Sequence, residues 1–206
     1  MTHSVAVVLI ALAILLLLYM VIIAFLILAQ RKQKQEILFN QDSYLIVFAS
    51  QSGQAEQYAR QTAQQLQDVG QSVSVVDIQF LDRQQLLQAH KVLWVVSTYG
   101  EGDAPDTARL FIKDILGQPS LDLSHQSYAI LALGDKRYAN FCQFGQVLNQ
   151  YVQQQQAKAL FDMVCVDHLK QADLKRWTQH LEQLMQQQLT VLEPVQHWQH
   201  FILTKR

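Results

Sequence analysis

Cysteine is scarce: Cys142 and Cys165 are the only two, well separated, so neither a disulfide framework nor a cysteine-based metal motif is available. Neither sign of charge dominates, and the formal net charge is -1. Nothing in that balance suits a nucleic-acid partner. No Gly-Lys-Ser/Thr follows a glycine loop, which excludes the usual ATP- or GTP-binding loop, and no Gly-x-Gly-x-x-Gly is present for a dinucleotide. His90, His125, His168 and His180 have no metal-ligand spacing and read as surface residues. There are no internal repeats. Glutamine runs at 153–156 and 186–188 read as solvated helix faces.

Charge is absent altogether from residues 1–30, and residues 5–29 are almost entirely Val, Ile, Leu, Ala and Phe. A helix of that length would be about 37 Å long, against roughly 30 Å of bilayer hydrocarbon. The reading is a membrane anchor (1–30) that meets lipid through residues 5–29. A cleaved signal peptide fits less well, since the run is long and no basic residue precedes it. Arg31, Lys32 and Lys34 follow it, which predicts a single-pass chain with its soluble part cytoplasmic. Residues 31–42 read as a juxtamembrane linker, 43–188 as one domain and 189–206 as a tail.

Within the domain, apolar runs at 44–48, 73–76, 92–96, 128–133 and 160–166 read as buried strands. Helical patterns separate them at 55–69, 82–89, 106–116 and 145–155, and a last helix covers 173–189. Strands alternating with helices predict an α/β fold, a doubly wound parallel sheet with helices on both faces. Such sheets bind ligands at the carboxyl ends of their strands.

Three loops fall there. The first, Ser50-Gln51-Ser52-Gly53-Gln54-Ala55, offers hydroxyls and backbone amides where a helix begins, which suits an anion; the plainer alternative is a serine N-cap. The second follows Ser97 and runs Thr98-Tyr99-Gly100-Glu101-Gly102-Asp103. The third runs Leu133-Gly134-Asp135-Lys136-Arg137-Tyr138 and continues to Phe141 and Cys142. A phosphate site flanked by two tyrosine-bearing loops suggests a planar ring lying between them.

These three motifs together resemble the flavodoxin-like FMN domain of the diflavin reductases, the group of microsomal cytochrome reductase and the sulfite reductase flavoprotein. The resemblance covers about residues 44–184. It implies a five-stranded sheet of order 2-1-3-4-5. It implies that Ser50, Gln51, Ser52, Gly53, Gln54 and Ala55 hold the FMN phosphate, with Ser52 and Gln54 standing where the family has threonines. Tyr99 and Tyr138 would stack on the two ring faces. Ser97, Thr98, Gly100, Glu101 and Gly102 would meet the ring edge, with Gly100 at N5. Leu133, Gly134, Asp135, Phe141 and Cys142 would line the remaining side, and Asp167 takes the place of the acidic residue after the last strand. Glu101, Asp103, Asp106, Asp135 and Asp167 are expected to form an acidic rim that lowers the flavin potential and steers a basic partner. Cys142 reads as a packing residue rather than a redox thiol.

In the resembling reductases an FAD- and NADPH-binding module follows, and the expectation here is an FMN domain without that module. The expected role is a membrane-anchored FMN electron carrier, fed by a separate electron-donating reductase and passing electrons singly to an acceptor protein. The alternative is a non-redox interaction module of the same fold, or a truncated reductase remnant; a quinone reductase fits the loops less well. The tail, with Val191, Val195, Trp198 and Ile202 at helical spacing, reads either as an amphipathic docking segment or as the first strand of a missing module.

Overall fold

A computed structural model describes residue 12, residues 15–23 and residues 42–192 apart from 119. Contacts divide the chain into two units, 1–36 and 37–206. In the first unit residues 15–23 are helical and most of their apolar side chains are exposed, with Leu15 69% exposed. Among the described residues no helix is long and apolar enough to cross a membrane. Most of the expected anchor and its linker, and the tail beyond residue 192, lie outside the described residues.

The second unit is built on a parallel sheet. Its strands are β1 (Tyr44–Ala49), β2 (Val73–Asp77), β3 (Lys91–Ser97) and β4 (Ser127–Gly134), followed by the short β5 (Lys158–Ala159) and β6 (Val164–Asp167). The order is β2-β1-β3-β4, and β5 and β6 both pair with β4. The order read from the resemblance is therefore the one observed. Register is continuous across the centre, where Val47 lies beside Trp94 and Trp94 beside Ile130.

The helices are α1 (Gln54–Asp68), α2 (Arg83–Gln88), α3 (106–116), α4 (Gln143–Gln154) and α5 (Gln171–Met185). α3 is irregular: it opens as a 3-10 turn at Asp106–Ala108 and closes as a π-helix at Ile112–Leu116.

Alternate residues of the central strands face opposite layers, as pleating requires. Val47, Trp94 and Ile130 point towards Leu86, Phe111 and Leu148 on one side. Ile46, Leu93 and Leu131 point towards Tyr58, Leu66, Leu174 and Trp177 on the other. Both layers are dry, so the central strands read as unbroken apolar runs. The second layer is also pinned by a buried hydrogen bond from Trp177 Nε1 to Thr62 Oγ1, 3.2 Å, which joins α5 to α1.

Two expectations need correction. The last strand is not one run over 160–166 but two pieces, β5 and β6; Leu160 N still donates to Tyr128 O of β4, and residues 161–163 interrupt the pairing. Phe161 leaves the sheet to pack edge-on against Trp177 and flat against His180. An aromatic in an apolar run does not reveal from sequence whether it will serve the sheet or the helix beneath. Nor is the first glutamine run wholly a solvated face. Gln155 is buried, its side chain accepts from Leu121 N at 2.7 Å, and its carbonyl accepts from Leu123 N at 2.9 Å.

Gly145, in the first turn of α4, allows that helix to sit on β4. A Cβ there would lie 2.5 Å from Ala132 Cβ. Gly145→Ala should cost about 1–3 kcal/mol through overpacking, seen as a lowered chemical-denaturation midpoint. An unchanged midpoint would mean that α4 shifts freely on the sheet.

Candidate functional site

The carboxyl ends of β1, β3 and β4 deliver the three loops to one edge. Loop 1 turns through Gly53, whose φ of 84 lies in the left-handed region, and α1 starts at the next residue. Gly53 is the N-cap and provides no side chain to fill the helix end. Ser50 Oγ takes one amide, that of Ala55, at 3.2 Å. The end of α1 thus presents amides and partial positive charge with a serine hydroxyl beside them, a setting for a phosphate. Gln51 is turned away from this end: its side chain bonds Asp106 at the start of α3.

Loop 2 is closed on itself. Tyr99 N donates to Asp103 O and Asp103 N to Tyr99 O, both at 2.8 Å. Gly100 and Gly102 have positive φ (53 and 134), which makes this tight return possible. Gly102 also packs closely, since a Cβ on it would meet Asn140 Cβ at 2.7 Å. The base of the loop is held by Ser97 Oγ donating to Ala49 O, Thr98 N donating to Leu133 O, and Thr98 Oγ1 accepting from Phe144 N. Tyr99 rides on this frame with its side chain outward, 57% exposed.

Loop 3 starts at Gly134, which must be glycine because a Cβ would fall 2.8 Å from Cys142 N. Tyr138 N donates to Asp135 O, and Tyr138 is 43% exposed. Asn140 Nδ2 donates to Glu101 O, tying loop 3 to loop 2. Two exposed tyrosines thus stand on neighbouring, mutually braced loops.

Cys142 takes the packing role expected of it. It is fully buried, and its thiol donates to Ala132 O at 3.3 Å. The neighbouring thiol of Cys165 and burial both push it well above the usual thiol range. Its side chain belongs to the core rather than to the lining of the site. Leu133 is likewise buried, and only its carbonyl serves the loops. Phe141 is half-buried beneath Lys136, whose Nζ lies 5.4 Å from the ring centre.

Asp167 is not free. It accepts from Lys136 N at 3.0 Å and pairs with Lys170, which together hold its carboxyl below the ordinary range, Lys170 most strongly. Asp135 is forked by Arg137, with Nη2 at 2.6 Å from Oδ2, and this pairing lowers its pKa to about 2. Asp106 faces Arg109 at 3.4 Å. Three of the five expected rim acids therefore carry a basic partner. Among the described residues Glu101 and Asp103 make no ion pair. The sequence reading overlooked Arg137, Lys170 and Asn140. The Asp-x-Arg and Asp-x-x-Lys spacings were the available signal for the first two.

The comparisons with known proteins agree with this geometry. The Flavodoxin family model matches residues 46–177. The chain belongs to the flavodoxin family. It is 30% identical over 146 residues to the sulfite reductase [NADPH] flavoprotein alpha-component of Neisseria meningitidis, covering 71% of this chain and 24% of that protein. It is 35% identical over 122 residues to human methionine synthase reductase, covering 58% of this chain and 18% of that protein. The chain therefore matches only about a quarter or less of each of these relatives. Among solved structures, the Streptococcus pneumonia flavodoxin superposes with a TM-score of 0.60 at 30% identity, covering 68% of this chain and 96% of that one. Oxidised Flavodoxin 1 from Bacillus cereus shares the fold, with a TM-score of 0.57 at 22% identity over 65% of this chain and 90% of that one.

This flavodoxin domain binds FMN, and it is an electron-transfer domain related to the diflavin reductases. The residues present fit that cofactor: a glycine-capped helix end suits the phosphate, and two outward tyrosines suit the ring.

The Asp135–Arg137 fork gives a titration test. A carboxyl whose folded pKa is depressed contributes stability above its unfolded value near 4, and loses it as pH falls through about 2. Arg137→Ala should move the Asp135 carboxyl resonance midpoint from about 2 towards the ordinary aspartate value near 4. A midpoint that stays low would assign the shift to something other than the arginine.

Proposed function

We propose that this chain is a membrane-anchored FMN electron carrier, which takes electrons from a separate reductase and passes them singly to an acceptor protein. The observation that carries this reading is the pair of exposed tyrosines, Tyr99 and Tyr138, on two loops braced by the Asn140–Glu101 bond beside a glycine-capped helix end. Exposed aromatic rings on tightly held backbone cost hydration free energy that a flat ligand would recover.

When bound, FMN supplies the redox chemistry. The chain binds, orients and shields it. Ser50, Ser52, Gly53, Gln54 and Ala55 would hold the phosphate through hydroxyls and the amides at the start of α1. Tyr99 and Tyr138 would cover the ring, and the backbone of residues 98–102 would meet its edge, with Gly100 free to turn its peptide because its φ is already positive. Glu101 and Asp103 would keep negative charge near the ring and disfavour an anionic reduced form.

The relatives' names support electron handling: one is the flavoprotein component of an NADPH-linked sulfite reductase and another is a methionine synthase reductase. Anchoring rests on the charge-free apolar run at 5–29 and the basic residues after it, which would put the FMN domain on the cytoplasmic side. The donor and acceptor are proteins of complementary charge and potential.

The full chain, extracted in detergent, should carry about one FMN per chain and show a flavin absorption spectrum, with reduction proceeding in two separable one-electron stages. Tyr99→Ala should weaken FMN binding about tenfold to a hundredfold by removing ring contact. A colourless chain that also takes up no added FMN would contradict the carrier reading and leave an interaction module. Membranes should retain the full chain through an alkaline carbonate wash and release a chain lacking residues 1–30. Release of the full chain would contradict the anchor alone.

A further inference from the structure

One contact joins the phosphate loop to the start of α3 through Gln51, a side chain that the resemblance assigns to the phosphate and that the structure turns away from it. Gln51 lies in loop 1, directly before Ser52-Gly53, yet its carboxamide reaches across to Asp106. Oε1 accepts from Asp106 N at 2.9 Å, and Nε2 donates to Asp106 Oδ2 at 3.2 Å. The two bonds close a ring between loops 55 positions apart.

The local chemistry explains why a glutamine stands here. Asp106 opens the 3-10 turn of α3, so its amide is one of the unpaired N–H groups of a helix start. The residue before it is Pro105, which gives no side-chain cap. The missing cap comes from the other loop. The partner must accept from an amide and donate to a carboxylate at once, which a neutral carboxamide does and a carboxylate, hydroxymethyl or ammonium side chain does less well. Pro105 is buried with its φ fixed by the ring, and it connects Asp106 through Ala104 to Asp103. Asp103 is in turn doubly bonded to Tyr99. A short, stiff path therefore runs from the phosphate loop through Gln51, Asp106 and Asp103 to the ring-bearing tyrosine.

We propose that Gln51 and Asp106 form a positioning pair that sets the placement of the Tyr99 loop relative to the phosphate loop. Gln51 then acts on the flavin ring through Tyr99 rather than on the phosphate by its side chain. The proposal rests on the FMN reading above.

The test compares FMN with riboflavin, which keeps the ring and lacks the phosphate, on the full chain. Gln51→Ala and Asp106→Ala should each weaken both flavins about three- to tenfold, the scale of one or two hydrogen bonds. The double variant should lose no more than Gln51→Ala alone, because Gln51→Ala already removes both bonds, whereas Asp106→Ala removes only the bond to the carboxylate and leaves Asp106 N on Gln51 Oε1. All three should quench bound flavin fluorescence less than the wild-type chain, a sign of looser tyrosine contact. Asp106→Asn, which keeps an acceptor oxygen and the amide, should behave as wild type. Three results would overturn the pair. In the first, Gln51→Ala weakens FMN but not riboflavin while Asp106→Ala is silent. In the second, the two losses multiply. In the third, Asp106→Asn is as damaging as Asp106→Ala. A wild-type chain that binds neither flavin would instead overturn the FMN reading. In that case amide exchange in the ligand-free chain still decides: Gln51→Ala should speed exchange at Asp106 N at least threefold, and no change would refute the clasp.

Discussion

The constraint on which this domain depends is the burial of its central strands on both faces. β1, β3 and β4 direct their backbone groups to one another and to the flanking strands, and their side chains to two apolar layers of helices. A polar or mobile residue has no place within them, so everything chemically useful is displaced to their ends. Because the strands are parallel and in register, those ends lie side by side. The site follows from this arrangement: three short loops leave one edge and are then braced against each other by side chains.

The bracing has two tiers. Backbone bonds fix each loop internally, as in the Tyr99–Asp103 pair and the Asp135–Tyr138 turn. Side chains then join loop to loop: Gln51 to Asp106, Thr98 to Phe144 and Asn140 to Glu101. Glycines stand where a side chain would break this frame. Gly134 gives way to Cys142, Gly102 to Asn140, and Gly53 turns the chain into α1. The result holds two tyrosines outward on rigid supports, a state the hydrophobic effect alone would not favour.

The strand runs and the three loops were legible in the sequence because continuous apolar stretches and glycine-hydroxyl clusters are local signals. The order of the strands came from the resemblance, since periodicity does not state which strands are neighbours. What sequence could not reveal was long-range. The split of the last strand depends on Phe161 preferring Trp177 and His180 to the ladder. The burial of Gln155 depends on backbone amides more than thirty positions away needing an acceptor. Basic partners stand beside three of the rim acids, Asp106, Asp135 and Asp167, and a list of acids alone does not show them. Arg137 and Lys170 neutralise Asp135 and Asp167, and the remaining negative charge is concentrated at Glu101 and Asp103. Cys142 sits in a loop by sequence and in the core by structure, because its backbone turns left-handed and directs the thiol to Ala132.

The central claim is that three loop ends make one flavin site. Following backbone amide resonances of the isotope-labelled full chain during titration with FMN tests it directly. The account predicts that the amides of residues 50–55, 98–102 and 134–138 shift together, at one stoichiometric point, while those along the outer face of α5 stay in place. Shifts confined to one loop, or centred on α5, would contradict it.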